Sequence, residues 1–176
     1  MAKNFSGPAI FMDRSDINTD EIIPARYLTE VTKEALKPYL LEDLSLEGFD
    51  PKGERLSRAT VVVARSNFGC GSSREHAAWV FEVNGINTVI AASFSRIFRQ
   101  NMFNCGMLAI ELPQPDLERL FALSRIGEVT VAVDVEGSKI IGETVGVKET
   151  IPFEISSFDR ALVEAGGWVE FADHRY

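Results

Sequence analysis

Cysteine is scarce in this sequence, which has only two, Cys70 and Cys105, and they form no Cys-x-x-Cys pair. A disulfide framework is therefore not expected, and this cysteine usage is typical of an intracellular protein. At 176 residues the chain is long enough to bury a core without covalent or metal cross-links. We expect one domain spanning residues 1–176.

Long hydrophobic runs are also missing. No apolar run approaches the roughly 18 residues that a membrane-spanning helix needs, and the first residues lack the apolar core of a signal peptide. Basic residues are too few for a nucleic-acid-binding face, because 18 Lys and Arg stand against 26 Asp and Glu, for a net charge of −8. We therefore expect a cytoplasmic protein whose partners include neither nucleic acid nor membrane. An anionic small molecule is still compatible with this charge, since a few arginines can dominate one pocket.

Hydrophobic patterning predicts an α/β fold. Continuous apolar runs predict buried strands, period-3.6 patterns predict helices, and a late polar turn predicts a hairpin. The mixture favours a barrel-like mixed sheet with flanking helices. The predicted strands are 9–12, 60–64, 88–92, 107–112, 129–135, 139–141 and 151–155, and the predicted helices are 33–41, 74–84, 94–103, 116–125 and one from Ser157 to the Gly166-Gly167 pair. Residues 45–57 are predicted to form a surface connection.

The stretch SNFGCGSSREHA, residues 66–77, lies between a predicted strand and a predicted helix. Glycines there permit φ > 0 and close approach of a ligand to the backbone. Ser72 or Ser73 can cap a helix that begins at Arg74, and helix-start N–H groups attract anions. The guanidinium of Arg74 suits bidentate carboxylate binding. The residues therefore predict either a carboxylate site or a purely structural glycine turn; the order of residues matches neither a P-loop nor a dinucleotide-binding or nucleophile-elbow motif.

Three blocks resemble the small-subunit family of 3-isopropylmalate dehydratases, and more broadly the swivelling domains of the aconitase superfamily. In chain order they are DINTDEIIPARYL from Asp16, NFGCGSSREHA from Asn67 and ASFSRIFRQNMFNCGML from Ala92. The similarity covers most of residues 5–155. It implies an aconitase-type β/β/α swivelling domain and a hydro-lyase of leucine biosynthesis that interconverts 2-isopropylmalate and 3-isopropylmalate by dehydration and rehydration.

The resemblance also implies roles for residues of the second block. Ser72 would take a proton from the substrate carbon, and Arg74 would bind a substrate carboxylate. Ser73 and Gly71 would contribute to substrate binding beside them. In the family a separate large subunit carries a [4Fe-4S] cluster, so a cluster-bearing partner is expected, as a heterodimer or heterotetramer. No cofactor or metal is expected in this chain, whose two cysteines are fewer than the several thiolates that such a cluster uses.

Substrate choice is assigned to the loop that follows Pro24, at the end of the first block. In the family this loop lies near the variable substituent of the substrate, so Tyr27, Leu28 and Thr29 are predicted substrate-binding residues. Relatives that accept a third carboxylate tend to carry arginine where this chain has Thr29, and Glu30 would repel such a group. Arg26 weakens this argument, because its side chain can turn toward the pocket.

Other assignments stay open at this stage. The alternatives are a related hydro-lyase acting on homocitrate, 2,3-dimethylmalate or citramalate, or a carboxylate-binding module without catalysis. Several polar residues near the motif also have structural explanations, and no role is assigned to them: Arg26, Glu75, His76, Arg96 and Arg99.

Overall fold

The computed structural model describes residues 3–175. Its strands are β1 (Gly7–Phe11), β2 (Val61–Val63), β3 (Thr88–Ala91), β4 (Leu108–Glu111), β5 (Val129–Asp134), β6 (Lys139–Thr144) and β7 (Val147–Pro152). Its helices are α1 (Thr19–Ile22), α2 (Lys33–Leu36), α3 (Glu54–Arg58), α4 (His76–Val83), α5 (Arg96–Asn104), α6 (Gln114–Ser124), α7 (Ser157–Ala165) and α8 (Trp168–Arg175), with 3₁₀ turns at Ala25–Tyr27 and Lys37–Tyr39.

The strands form one mixed sheet in the order β4-β3-β2-β1-β5-β6-β7. The first half, β4 to β1, is parallel, and β5 pairs antiparallel with β1 and begins an antiparallel meander. The sheet curls into a half-barrel with flanking helices, which confirms the predicted fold class. Parallel strands need covered faces, and β2 is accordingly buried along its whole length.

An aromatic cluster joins the end of β2 to helices α4 and α5. The ring of Phe68 lies 5.4 Å from that of Phe98 on α5 and 6.0 Å from that of Phe81 on α4, measured between centroids. All three side chains are buried. The Phe68–Phe98 pair is edge-on, and such packing fixes geometry as well as burying area, so the chain segment that follows Phe68 starts from a rigid base.

Several boundaries differ from the sequence predictions. The helix predicted over 33–41 ends at Leu36 and continues as a 3₁₀ turn, because Pro38 has no N–H to donate. The connection predicted over 45–57 contains the start of α3. The last strand lies earlier than predicted, since the left-handed turn at Gly146 lets β7 start at Val147.

Of the two helices at the carboxyl-terminal end, only the first was predicted. Gly166, with φ of +97°, ends α7 as predicted. A further helix, α8, was not predicted. None of the helices within residues 3–175 is long and apolar enough to cross a bilayer.

Candidate active site

The segment from Phe68 to Glu75 leaves the carboxyl end of β2 in an irregular conformation set by two glycines. Gly69 and Gly71 have φ of +79° and +98°, values that L side chains rarely adopt. A Cβ at Gly69 would lie 2.3 Å from Cγ of Phe98, so the backbone is pressed directly against the aromatic cluster. This contact requires glycine for reasons of space as well as of conformation.

A second loop, residues 16–19, runs beside this segment because β1 and β2 are parallel neighbours whose carboxyl ends meet at one sheet edge. Gly69 N–H donates to the Ile17 carbonyl at 2.8 Å, and Thr19 N–H donates to the Cys70 carbonyl at 2.8 Å. Ligands of open α/β sheets bind at this edge. The two loops are thus joined at the position where the parallel half of the sheet predicts a site.

Ser72 and Ser73 are exposed on this edge. The Ser72 carbonyl accepts a hydrogen bond from Thr19 Oγ1 at 2.9 Å. Within residues 3–175 neither serine hydroxyl has a hydrogen-bond partner, so both are free to meet a ligand. The exposed Gly71 lies beside them.

The predicted capping role of the serines is wrong. Helix α4 begins at His76 rather than Arg74, and its N-cap is Glu75, which makes no side-chain capping bond. The reason is the turn that precedes the helix: Ala77 N–H bonds the Arg74 carbonyl, which leaves Ser72 and Ser73 outside the first turn. Their hydroxyls consequently do not accept hydrogen bonds from the N–H groups of the helix.

Arg74 directly follows the serines in the chain, and only 13% of its side chain is exposed. One guanidinium nitrogen, Nη1, lies 3.4 Å from the Ile23 carbonyl oxygen and 3.5 Å from Oδ1 of Asp20. Nε is buried and has no partner among the described residues. A buried guanidinium with so few, and such long, contacts keeps most of its donors for an incoming anion.

Asp20 connects this arginine with the predicted substrate loop. Its Oδ1 also accepts from Ala25 N–H at 2.9 Å, at the start of the 3₁₀ turn Ala25–Tyr27. The ring of Tyr27 stacks on Tyr39 with centroids 3.8 Å apart, so its position is fixed. Leu28 packs against the core and Thr29 is exposed. The structure brings Gly71 to Arg74 together, and Asp20 and Ile23 connect Arg74 with the start of the turn that leads to the Tyr27–Thr29 loop.

Comparisons with known proteins agree on one family. The Aconitase C-terminal domain family matches residues 6–115. A 3-isopropylmalate dehydratase small subunit from Rhodospirillum centenum is 40% identical over 163 residues, or 87% of this chain and 77% of the relative. A small subunit 2 of the same enzyme from Deinococcus radiodurans is 38% identical over 158 residues, covering 90% and 71% of the two chains.

A solved structure shows that the fold also agrees with this family. The crystal structure of 3-isopropylmalate dehydratase from Methanocaldococcus jannaschii superposes with a TM-score of 0.78 at 31% identity, covering 97% of this chain and 94% of that one. The chain belongs to the 3-isopropylmalate dehydratase small-subunit family. Membership in this family confirms the predicted resemblance, the role in leucine biosynthesis and the class of activity, that of an aconitase-type hydro-lyase.

Arg26, which weakened the substrate argument, is paired with a carboxylate. Its two Nη atoms bond both carboxylate oxygens of Asp43, at 2.8 and 2.9 Å, and its guanidinium lies over the Tyr27 ring. These hydrogen bonds lower the pKa of Asp43. A bidentate pair of this kind orients the arginine toward Asp43, so the charge of Arg26 beside Tyr27 is already paired.

Three other residues had no assigned role: Arg99, His76 and Arg96. Arg99 Nη1 pairs with the buried carboxylate of Asp159 at 3.5 Å, which ties α5 to α7. His76 packs against the ring of Trp79 at 4.8 Å, and Arg96 is exposed. None of these contacts reaches the serines.

Ser72 and Ser73 lie at the exposed surface. A groove of about 760 Å³ lies elsewhere, between β1, α3 and α6, and neither Ser72, Ser73 and Arg74 nor the Tyr27–Thr29 loop lines it. In the part of the chain that the structure describes, no three His, Cys, Asp or Glu side chains are grouped to hold a metal ion. Burial raises the pKa of Cys70 and that of Cys105, the latter to about 11.

Sequence reasoning found the serines and the arginine but missed the two residues that hold them. Thr19 and Asp20 lie in the first block, yet no direct contact with the second block was predicted for either. The available signal was the position of this threonine directly after Asn18, a helix-capping residue type. A buried hydroxyl there needs a partner from outside the helix.

Proposed function

We propose that this chain supplies the proton-transfer half of the active site that interconverts 2-isopropylmalate and 3-isopropylmalate. Ser72 takes the proton from the substrate carbon, and Arg74 binds the adjacent carboxylate. The observation that carries the proposal is the pairing of unpartnered serine hydroxyls with a largely buried guanidinium at the carboxyl edge of parallel strands. Family membership supplies the substrate.

The chemistry assigned to Ser72 needs strong electrostatic support, because an alcohol is a very weak base. Arg74 neutralises the substrate carboxylate and so acidifies the neighbouring C–H bond. The same guanidinium, together with backbone N–H groups of the glycine segment, stabilises negative charge on the Ser72 oxygen. Ser73 and the Gly71 N–H group donate hydrogen bonds that hold the substrate. Since the structure rules out capping by the serines, this support comes from the loop and not from a capped helix end.

Elimination also requires that the substrate hydroxyl leave. When bound, a [4Fe-4S] cluster supplies a Lewis-acidic iron for that hydroxyl, and we assign the cluster to the large subunit. The cysteine count supports this assignment, because Cys70 and Cys105 are fewer than the several thiolates that such a cluster uses. The complex would be a heterodimer or heterotetramer in the cytoplasm.

The isopropyl group of the substrate is assigned to the surface of Tyr27, Leu28 and Thr29. The commitment of Arg26 to Asp43 supports this choice, because a third carboxylate would find no free arginine there. Glu30 is exposed next to Thr29 and would repel an additional negative charge. An apolar substituent is therefore favoured over the carboxylate of homocitrate.

Reconstitution with a cluster-bearing large subunit tests the proposal. We expect Ser72→Ala to lower kcat by about 10²–10⁴-fold, the range for loss of a general base. Ser73→Ala, the matched control, should retain far more activity. Arg74→Lys keeps the charge but loses the planar fork, so KM should rise with kcat reduced. Formation of the unsaturated intermediate, followed by its ultraviolet absorbance, measures each rate.

Three results would contradict the proposal. A Ser72→Ala rate within a few-fold of wild type would exclude this serine as the base. Faster turnover of homocitrate than of isopropylmalate would overturn the assignment of the substrate loop. Carboxylate binding without any turnover in the reconstituted complex would leave a binding module instead of an enzyme subunit.

A further inference from the structure

Thr19 contacts the glycine segment at two points on either side of Gly71. Its N–H donates to the Cys70 carbonyl at 2.8 Å, and its Oγ1 donates to the Ser72 carbonyl at 2.9 Å. The residue is 2% exposed, so its hydroxyl has no access to solvent as an alternative partner. A buried hydroxyl is held firmly by such a bond, since breaking it leaves an unsatisfied polar group.

The geometry of the peptide bond extends the effect of these two contacts. All peptide bonds of the described residues are trans, and in a trans peptide the C=O and the following N–H point in opposite directions. With the Cys70 and Ser72 carbonyls both directed at Thr19, the Gly71 and Ser73 N–H groups are both directed away from it. Among the described residues neither N–H has an acceptor, so both are available on the open side.

Thr19 is itself anchored independently of the glycine segment. It is the first residue of α1, whose N-cap, Asn18, forms a reciprocal capping box with Glu21: Glu21 N–H donates to Asn18 Oδ1 at 2.9 Å and Asn18 N–H to Glu21 Oε1 at 3.2 Å. Arg14 pairs with the same Glu21 carboxylate. The β-branched side chain adds a restricted χ1. The contacts to Cys70 and Ser72 thus start from a rigid element.

We propose that Thr19 is a positioning residue for catalysis, which sets the orientation of Ser72 and of the Gly71 and Ser73 N–H groups through the two carbonyls on either side of Gly71. The inference rests on the proposed function of Ser72 as base. Gly71, with φ of +98° and no side chain, has no means of holding its own conformation. Without the Thr19 hydroxyl the Ser72 peptide can rotate, and its Oγ no longer lies where the substrate C–H bond is presented.

The test compares Thr19→Val, which keeps the shape and removes the hydroxyl, with Thr19→Ser, which keeps the hydroxyl. Thr144→Val is the matched control, because Thr144 is also buried and its Oγ1 also donates to a carbonyl, that of Glu128 at 2.7 Å, away from the site. Each variant is assayed in the reconstituted two-subunit enzyme for kcat, KM and the deuterium isotope effect at the abstracted C–H position. Urea midpoints of the single chain show that each variant is folded.

We expect Thr19→Val to lower kcat at least tenfold with KM changed less than threefold, and to raise the isotope effect. Thr19→Ser should recover kcat to within about threefold of wild type, and Thr144→Val should leave all three quantities unchanged. If Thr19→Val does not fold, Thr19→Ala and Thr19→Ser provide the same comparison.

Failure of the inference differs from failure of the proposed function. A Thr19→Val enzyme with wild-type kcat and isotope effect overturns the inference while a low Ser72→Ala rate upholds the function. Equal losses of kcat in Thr19→Val and Thr144→Val also overturn it, because the effect would then follow stability alone. A Ser72→Ala enzyme with wild-type activity overturns both.

Discussion

Replacing Gly69 with alanine tests whether the site segment is fixed by its contact with the aromatic cluster. The new Cβ would lie within 2.3–2.6 Å of three atoms of Phe98, well inside van der Waals contact. Phe98 cannot retreat easily, because it is 2% exposed and packs between Phe68 and Phe81. Either the ring or the segment must move.

The expected loss of stability has two parts. The left-handed φ of +79° at this position costs an L residue about 1–2 kcal/mol. Overpacking a closed core adds about 1–3 kcal/mol. Gly69→Ala should therefore lower the free energy of unfolding by about 2–5 kcal/mol, a large part of the roughly 5–15 kcal/mol typical of a domain.

Gly85→Ala separates the two parts. Gly85 has a similar φ of +74°, but a Cβ there would meet nothing within 4 Å. Only the conformational cost of about 1–2 kcal/mol is then expected. Urea denaturation of both variants, monitored by circular dichroism, gives the two values. The reconstituted rate should fall strongly for Gly69→Ala and little for Gly85→Ala, since only the first displaces Ser72.

Equal destabilisation by the two alanines would refute the reasoning. It would mean that Phe98 yields without cost, and that the aromatic cluster does not fix the segment. Wild-type activity in a strongly destabilised Gly69→Ala variant would refute the second half, the link between this contact and the position of the serine.

Two further predictions follow from charge and burial. Burial alone would raise the pKa of Glu82, but hydrogen bonds from Lys33 (2.7 Å) and the pairing with Lys3 (3.0 Å) outweigh it and lower this pKa. The stabilisation by Glu82 is therefore present above the unfolded-state pKa and is lost as pH falls through the folded-state pKa. Glu82→Gln should lower the free energy of unfolding by about 1 kcal/mol at pH 7 and flatten the decline in urea midpoint between about pH 5 and pH 3. An unchanged decline would contradict the assignment. With its pKa raised to about 11, Cys105 should be alkylated by iodoacetamide at pH 8 roughly 100-fold more slowly than a free thiol, as followed by mass spectrometry of the peptide that contains it. Rapid modification of Cys105 in the folded protein would contradict this prediction.

The central elements of the fold could be predicted because their sequences are locally consistent. The three apolar runs that form β2, β3 and β4 show no 3.6-residue hydrophobic period that would favour a helix. The boundaries of these strands lie within one residue of those predicted. The carboxyl-terminal α8 could not be predicted from the glycine pair that precedes it. Gly166 does end α7, but a left-handed residue reverses the chain without preventing a new helix, and the packing of Phe171 on Phe158 stabilises that helix.

The candidate site, like the fold, could be predicted only in part. Ser72, Ser73 and Arg74 are consecutive in the sequence, so any structure would bring them together. Their catalytic and binding roles stay predictions. The single domain over residues 1–176 also stays a prediction. The prediction that Ser72 or Ser73 caps helix α4 was wrong because the start of that helix was misplaced. Whether a serine caps a helix depends on where the first turn closes, and here the turn at Arg74 moved that start to His76. The supporting contacts of Thr19 arise from strand pairing, which no local pattern reveals.

The bond from Thr19 to Ser72 joins residues 53 positions apart in the chain. Its formation requires the parallel strands β1 and β2 to be already aligned, and parallel pairing over such a separation is a slow, non-local step in folding. A peptide covering only residues 60–85 would contain both serines and the arginine but would have no partner for the Ser72 carbonyl. Assembly of this site is therefore coupled to completion of the tertiary fold, so that an incompletely folded chain would present the motif without its working geometry.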